Sequence, residues 1–394
     1  MRKNDKSLII KNAKVVGNQS LKEKLVNILI LNGIISKIYP SNENIFDTEN
    51  YKIIYRTLPS LDLKGTSYIS SGWIDAHVHC FEEIELYFEI PDIIGVNSGV
   101  TTIVDAGSTG ADNIGIFYEK IKNIKTNVYS LLNISKTGII AQNELSNLNN
   151  INIDIAVETA NKYSNFIIGY KARMSKTVVG ENGIIPLLMA KEIQKNKYLP
   201  IMCHIGSFPP SLEEITEILE KDDIITHCFN GKQNGILDNK TMMIKSCATR
   251  AYEKGVLFDV GHGKDSFNFN VSKVAKNNGI INFTISTDIY NKNRVNGPVY
   301  NLATTMEKFL YLGYSLEEVI SSVTIKPALA LKLKNKGLIK EGFDADLTIF
   351  NIENVSENCA KILIDSNGNK VKTTKLIKPI MTVVRGNYYE CQLL

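Results

Sequence analysis

Cysteine pairs and long apolar runs are both missing from this sequence of 394 residues. Its six cysteines have no regular spacing and form no CxxC pair, so we expect reduced thiols rather than a disulfide framework or a zinc ribbon. No apolar stretch approaches the roughly 20 residues of a membrane span. Lys11 and Lys14 interrupt the short apolar runs of the N-terminus, which therefore does not resemble a secretory signal. The sequence predicts a cytoplasmic protein without membrane attachment.

A strong excess of either charge is also missing. The chain has 45 basic and 41 acidic residues, a formal net charge of +4. Spread over this length, that balance predicts neither a nucleic-acid partner nor an anionic membrane surface. It leaves the oligomeric state open, a homo-oligomer included.

Short β-rich runs with Asn, Asp and Gly turns are present at both ends of the chain. The N-terminal runs are SLIIKNAKVVG, LVNILILNGIISKIY and KIIYRTLPSLDLKG, and the C-terminal runs are GFDADLTIF, KILIDSNGNKV and KPIMTVVRGNYYE. We expect residues 1–66 and 340–394 to meet in one small β-sandwich domain. Two unrelated β-appendages are the alternative.

The middle of the chain, residues 67–339, alternates short apolar runs with helical patterns. Strands that alternate with helices pair in parallel, and eight such units fit an α/β protein with a (β/α)8 TIM barrel. A doubly wound open sheet would need a glycine-rich phosphate loop after its first strand, and acidic and aromatic residues follow GWIDAHVH instead. The eight runs are YISSGWIDAHVH, TTIVDAGS, VYSLLNIS, FIIGYKARMS, LPIMCHIG, DIITHCFNG, VLFDVGHG and NFTISTDIY.

Histidine is scarce, and its placement is the most informative feature of the sequence. Each of the five histidines falls at the end of one of the eight runs or just after it, where barrel active sites form: His77, His79, His204, His227 and His262. Alternation along a strand predicts that His77 and His79 share one face. A lone histidine is usually a satisfied core residue, but four at strand ends favour metal binding.

Strand alternation also assigns faces to two neighbouring cysteines. His204 shares a face with Met202 and His227 shares one with Ile225, while Cys203 and Cys228 point the other way. We expect these cysteines to pack in the core rather than to bind metal.

Two further side chains complete a two-metal pattern. Asp288, in STDIY, is a carboxylate candidate at the end of the eighth run. Lys171, in GYKARMS, ends the fourth run on the inward face with Arg173. Burial would lower the pKa of that lysine, and its neutral amine can add carbon dioxide to give a carbamate, which two metal ions would stabilise. A lysine paired with an acid and a Schiff-base lysine are the alternatives.

This pattern resembles the amidohydrolase superfamily in its binuclear form with a carbamylated lysine. The closest likeness is to the amidohydrolase/deacetylase branch, whose members are often labelled dihydroorotases. The matching phrases, spread over nearly the whole chain, are VDAGSTGADN, KARMSKTVVGENG, HIGSFPP, THCFNGKQNGILD, FDVGHGKDSF, STDIY and NGPVYNLATTM. The resemblance implies a distorted barrel with a β-sandwich from both termini.

The resemblance also implies a role for each candidate residue. His77 and His79 would bind the more buried of two divalent ions, expected to be zinc from the ligand types, and His204 and His227 the more exposed one. Carbamylated Lys171 would bridge them. Asp288 would bind the buried ion and shuttle the proton of a bridging hydroxide, and His262 would sit at the substrate.

The sequence departs from dihydroorotase itself, which has an arginine two residues after its HxH. Cys80 and Phe81 stand at those positions here. Arg173 is instead expected to reach a substrate anion, with a salt bridge within the barrel rim as its alternative role. The predicted function is hydrolysis of an amide or ester in a small acylated carboxylic acid. A cyclic amidase and a catalytically silent binding barrel are the competing hypotheses.

Overall fold

The computed structural model describes residues 6–22, 24–43 and 58–392. The first five strands are β1 Leu8–Val15, β2 Leu25–Leu31, β3 Ile34–Pro40, β4 Ser60–Asp62 and β5 Tyr68–Ser71. Part of the predicted run KIIYRTLPSLDLKG lies outside the described residues. The same holds for parts of the predicted range 1–66 and for the end of the range 340–394.

The eight strands of the barrel form one parallel sheet whose spatial order follows the chain. A bridge between Val78 and Ile289 brings the two edges of this sheet together. Each strand coincides with one of the eight predicted runs, although two begin one residue earlier, and the strands confirm the fold class. They are β6 Trp73–Val78, β7 Val100–Asp105, β8 Asn127–Asn133, β9 Ile167–Met174, β10 Ile201–Ile205, β11 Ile224–Thr226, β14 Leu257–Asp259 and β15 Phe283–Thr284, with a small hairpin of β12 Leu237–Asp238 and β13 Met243–Ile244.

The first predicted run divides between two sheets. Tyr68–Ser71 belongs to the sheet of the chain ends and Trp73–Val78 to the barrel, with Gly72 between them. A Cβ at Gly72 would lie 2.0 Å from the Thr101 Oγ1 atom, so a side chain there would prevent the close approach of the two layers.

Helices follow most barrel strands and cover the outside of the sheet. Their apolar faces pack against the strands, as the buried residues of the Ile185–Asn196 helix show. The helices are α1 Pro91–Ile94, α2 Ile114–Lys120, α3 Ile153–Lys162, α4 Lys176–Val179, α5 Ile185–Asn196, α6 Leu212–Ile218, α7 Ser246–Lys254, α8 Phe269–Asn277, α9 Asn291–Val295, α10 Leu302–Tyr311, α11 Leu316–Ser322 and α12 Ile325–Ala330.

Strands from both ends of the chain pair in a second sheet. The C-terminal strands are β16 Leu347–Asn354, β17 Lys361–Ile364, β18 Lys370–Thr373, β19 Lys375–Val384 and β20 Asn387–Glu390. The sheet runs in the order β20-β19-β16-β5-β1-β2-β3, with β4 beside β1, and β17 and β18 form a separate hairpin. The two ends therefore share one sheet, as their β-rich texture predicts. The exact domain boundaries stay a prediction.

Cys203 and Cys228 are fully buried in the largest hydrophobic core, as predicted. All six cysteines are free thiols. Within the described residues, no helix is long and apolar enough to cross a lipid bilayer.

Candidate metal centre and active site

A cavity of about 390 Å³ opens at the carboxyl ends of the barrel strands. Side chains from five of the eight strand ends reach it, which is where barrel enzymes place their reacting groups. All six predicted metal ligands line this one cavity: His77, His79, Lys171, His204, His227 and Asp288.

The end of the first strand and the end of the eighth strand supply a compact group of three candidate ligands. The Asp288 Oδ1 atom lies 3.2 Å from His79 Nε2 and 3.4 Å from His77 Nε2. All three ligand atoms lie within 4.8 Å of one another, close enough to hold a single metal ion. Two imidazoles and one carboxylate are a ligand set that suits zinc and other first-row divalent ions.

His204 and His227 form the other half of the site. Their ring centroids are 4.4 Å apart. The His227 Nδ1 atom donates to the Gly261 carbonyl at 2.6 Å, which leaves Nε2 as the free lone pair. The His204 Nε2 atom contacts the Ser175 hydroxyl at 3.0 Å, which leaves Nδ1 for a ligand. In metal-binding histidines, the ring nitrogen that does not face the metal is usually held by a hydrogen bond of this kind.

Burial keeps these imidazoles neutral. It lowers the pKa of His77 to about 4, with a further contribution from the Lys171 charge, and lowers the pKa of His227 to about 3. It also holds the pKa of His204 well below its usual value, with help from His227. Neutral imidazoles offer the lone pairs that a metal ion needs, so the donor set fits divalent ions at neutral pH.

Lys171 is a buried lysine whose amine faces an imidazole. Its Nζ atom lies 3.1 Å from His77 Nε2 and 3.6 Å from the Met202 sulfur. Burial lowers the pKa of Lys171 to about 8, against a partial opposing effect of the Asp288 charge. Among the described residues no carboxylate forms an ion pair with it, so a lysine paired with an acid is not what the geometry shows.

The backbone at Asp288 is bent to bring its carboxylate into the cavity. Asp288 has a left-handed φ of 51°, and its N–H donates to the His77 carbonyl at 2.7 Å. The Asn293 amide donates to the Asp288 carbonyl at 2.8 Å. Although burial acts to raise the pKa of Asp288, the imidazoles of His77 and His79, with that of His227, outweigh it and hold the pKa below its usual value.

Gly263 approaches the Asp288 carboxylate so closely that no side chain fits. A Cβ at Gly263 would lie 2.5 Å from the Asp288 Oδ2 atom, and the residue has a φ of +52°. Both the space and the backbone conformation require glycine here.

A buried carboxylate that sequence reasoning missed orients His77. The Thr226 hydroxyl donates to Asp259 Oδ2 at 2.7 Å and lies 2.8 Å from His77 Nδ1. Since that hydroxyl proton is given to Asp259, the His77 Nδ1–H donates to Thr226 and His77 Nε2 faces the cavity with its lone pair. Asp259 is the last residue of β14, so the strand-end rule that found the histidines would also have found it.

The strand alternation predicted for His227 is wrong. β11 ends at Thr226, and His227 has a left-handed φ of 65°. The turn rotates the His227 side chain toward the cavity, so Thr226 and His227 both face the site. Alternation holds for His204, which lies inside β10 on the same face as Met202.

Arg173 lines the cavity, but its charge is already engaged. Its Nε atom lies 3.3 Å from Glu144 Oε1, an ion pair without hydrogen-bond geometry. Its Nη2 atom donates to Gln142 Oε1 at 3.0 Å. This is the rim salt bridge that the sequence left as the alternative role, and the contact of Arg173 with a substrate stays a prediction.

The structure does not bring His262 to the cavity. Its ring is fully buried, stacks on Phe267 and lies with Nε2 2.6 Å from Lys308 Nζ. Gly261 and Gly263, both with positive φ, turn the chain so that strand alternation no longer applies at His262. The substrate contact predicted for His262 therefore finds no support in this geometry.

Comparison with known proteins shows which family this chain belongs to. A model described as a deacetylase-like composite domain matches residues 339–390. A deacetylase of Enterococcus faecalis is 52% identical over 332 residues, which cover 84% of this chain and 89% of that protein. The chain belongs to the deacetylase family of the amidohydrolase superfamily.

Two solved structures share the fold of this chain, although they carry different names from the deacetylases. A crystal structure named as an adenine deaminase superposes with a TM-score of 0.89 at 47% identity, covering 97% of this chain and 99% of that one. Another, named as a dihydroorotase, has a TM-score of 0.87 at 30% identity and covers 98% of both chains. Membership in the deacetylase family confirms the predicted fold and the predicted class, an amidohydrolase.

Proposed function

We propose that this chain is a two-metal hydrolase that removes an acyl group, such as acetyl, from the amide or ester of a small carboxylic acid. The ions are proposed to be zinc, bridged by carbamylated Lys171, in an enzyme that works on a small molecule in the cytoplasm. The names of the relatives support deacylation, and neither the cyclic amidase nor the silent barrel is favoured.

One observation carries the proposal. Four imidazoles, a carboxylate and a buried lysine that has no carboxylate partner among the described residues converge on one cavity. Without a bound ion, burying these six polar groups away from water is unfavourable in free energy. Divalent ions bound there would satisfy these groups, lower the pKa of a shared water and polarise a carbonyl group.

In this proposal the imidazoles and Asp288 have separate roles. The imidazoles are held by their second nitrogen and cannot turn away from the cavity. Asp288 lies within 3.4 Å of both His77 Nε2 and His79 Nε2 and can take the proton of a water placed between them. It would return that proton to the nitrogen or oxygen of the leaving group. A cavity of about 390 Å³ suits a small molecule.

The cyclic-amidase alternative lacks its anchor for the substrate carboxylate. Cys80 and Phe81, which stand where dihydroorotase has its arginine, are 1% and 2% exposed and belong to the hydrophobic core. Neither side chain reaches the metal-site cavity. Dihydroorotate is therefore expected to be a poor substrate.

A substrate screen tests the proposal. N-acetyl and O-acetyl derivatives of small carboxylic acids are compared with dihydroorotate at equal concentrations, and release of acetate or ring opening is measured. We expect turnover of at least one acetylated acid and little or none of dihydroorotate. Efficient ring opening without deacetylation would contradict the proposal.

A further inference from the structure

The metal-site cavity has three cationic side chains besides Lys171, and they differ in how far their charge is already used. They are Arg173, Lys232 and Lys264. A substrate carboxylate binds best to a cation that can be desolvated and that does not have to break an existing ion pair. Comparing these three side chains therefore indicates where the acid end of a substrate binds.

Arg173 would give up an existing partner to bind a substrate. The Glu144 side chain is 1% exposed, and its carboxylate oxygens have no hydrogen bond among the described residues. The guanidinium at 3.3 Å is the cation beside it. Burial raises the pKa of Glu144, and the Arg173 charge opposes that rise. Drawing Arg173 toward a substrate would leave a buried carboxylate without its counter-charge, which is unfavourable.

Lys264 has the opposite problem, because it is exposed to solvent and stands beside the exposed Asp265. Water and salt screen a charge in that position. Its long side chain also loses more freedom on binding than a half-buried one.

Lys232 has neither disadvantage. It is half-buried, and no partner for its Nζ atom is found within residues 6–22, 24–43 and 58–392. Its backbone is fixed on both sides: the N–H donates to Asn230 Oδ1 at 2.9 Å, and the carbonyl accepts from the Gly235 N–H at 2.9 Å.

Lys232 also stands where two cavities meet. It lines the metal-site cavity and a neighbouring cavity of about 510 Å³, and Ser207 lines both. The neighbouring cavity has the Phe208 ring, 65% exposed, in its wall. An acid held at Lys232 would therefore share one cavity with the imidazoles and would have the neighbouring cavity beside it for a side chain.

We infer that Lys232 is the residue that selects acids, by binding the substrate carboxylate at the junction of the two cavities. This inference rests on the proposed deacylase function and names the feature by which that site would recognise its substrate.

The test compares an acid with its neutral counterpart in Lys232→Met and in the matched control Lys264→Met. The pairs are O-acetyllactate with O-acetyllactamide, and N-acetylalanine with N-acetylalaninamide. We expect Lys232→Met to raise KM for the acids about 10- to 100-fold, since a charge-assisted hydrogen bond is lost. KM for the amides and kcat should change little, and Lys264→Met should behave as wild type.

A binding measurement gives a readout without turnover. Calorimetric affinity for lactate should fall in Lys232→Met by the same factor as KM rises and should be largely kept in Lys232→Arg. In the wild type, KM for the acids should rise with salt while KM for the amides stays constant. This salt series tests whether a cation binds the acid, and Lys232→Gln, which keeps a polar side chain, repeats the comparison with the amides if Lys232→Met folds poorly.

Equal losses on acids and amides, or an equal acid-specific loss in Lys264→Met, would overturn the inference. So would an acid-specific loss found in Arg173→Met and absent from Lys232→Met. Wild-type turnover of the neutral amides separates the two levels: if it persists, the hydrolase function stands whatever Lys232 does. Absence of turnover on all four compounds and in the wider screen would instead contradict the proposed function.

Discussion

Two buried lysines in this molecule have opposite surroundings. Lys336, near the sheet of the chain ends, is 8% exposed, and its amine donates to Asp344 and Asp346. Lys171, in the barrel, is 1% exposed, and its amine faces the His77 imidazole at 3.1 Å. One lysine is neutralised by acids of the chain, and the other has no such partner among the described residues.

The two pKa values follow from these surroundings. Burial acts to lower the pKa of Lys336, but Asp346 and its other neighbours outweigh it and the pKa lies above the usual value. Burial dominates at Lys171 and lowers its pKa to about 8. A structural lysine comes with its counter-charges, whereas Lys171 is prepared to lose its proton. The difference favours a chemical role for Lys171 and a structural one for Lys336.

Lys171→Ala tests the chemical role of Lys171 most directly. This change removes the proposed bridge, so we expect activity near the uncatalysed background and loss of at least one bound metal ion. Acetate or bicarbonate should restore part of the turnover by occupying the vacant position. Near-normal rate and metal content, measured by kinetics and elemental analysis, would make the carbamate assignment wrong.

Asp288→Asn tests the proton transfer in the metal site, to which Lys171 also belongs. An amide keeps the size of the side chain but cannot accept the proton, so kcat should fall about 10²- to 10⁴-fold. Steady-state kinetics at saturating substrate measure the loss. A decrease of less than tenfold would mean that another group carries the proton.

Asp259→Asn should have a smaller effect, because Asp259 acts through Thr226 and His77 rather than on the substrate. Residues that orient a metal-binding histidine typically contribute about 10- to 100-fold in metal affinity. Competition with a chelator measures that affinity. We expect weaker metal retention, with kcat recovered when metal is added in excess. Unchanged retention would remove Asp259 from the support of the site.

Lys336→Met sharpens the structural side of the comparison. It leaves the buried Asp346 without its cation and should lower the free energy of unfolding by about 3–5 kcal/mol. Metal content and kcat should stay at wild-type values. Denaturant unfolding with kinetics on the same preparation checks both, and a large loss of kcat in the folded variant would contradict the separation of roles.

The sequence could bring the six candidate ligands to one cavity because the barrel puts every strand end at one face. His77, His79 and His204 could be placed from strand alternation alone. His262 could not, because positive φ values at the flanking glycines turn the chain after β14 has ended. Side-chain direction beyond the last strand residue is set by the loop, which periodicity does not describe.

The polar residues around the ligands were harder to predict. Glu144 lies in a long connection between β8 and α3 and meets Arg173 only in the folded chain. Lys232 sits in a turn whose sequence carries no periodic signal. A contact between segments distant in the chain depends on tertiary packing. Only the structure could therefore reveal that the Arg173 charge has an ion-pair partner, whereas the Lys232 charge has none in the described part of the chain.

The metal content of the wild-type protein tests the central claim most directly. Protein purified without chelator is analysed for divalent ions, and the ions are counted per chain. The account predicts close to two per chain, most of them zinc. Protein that contains no metal and still hydrolyses its substrate would contradict the account.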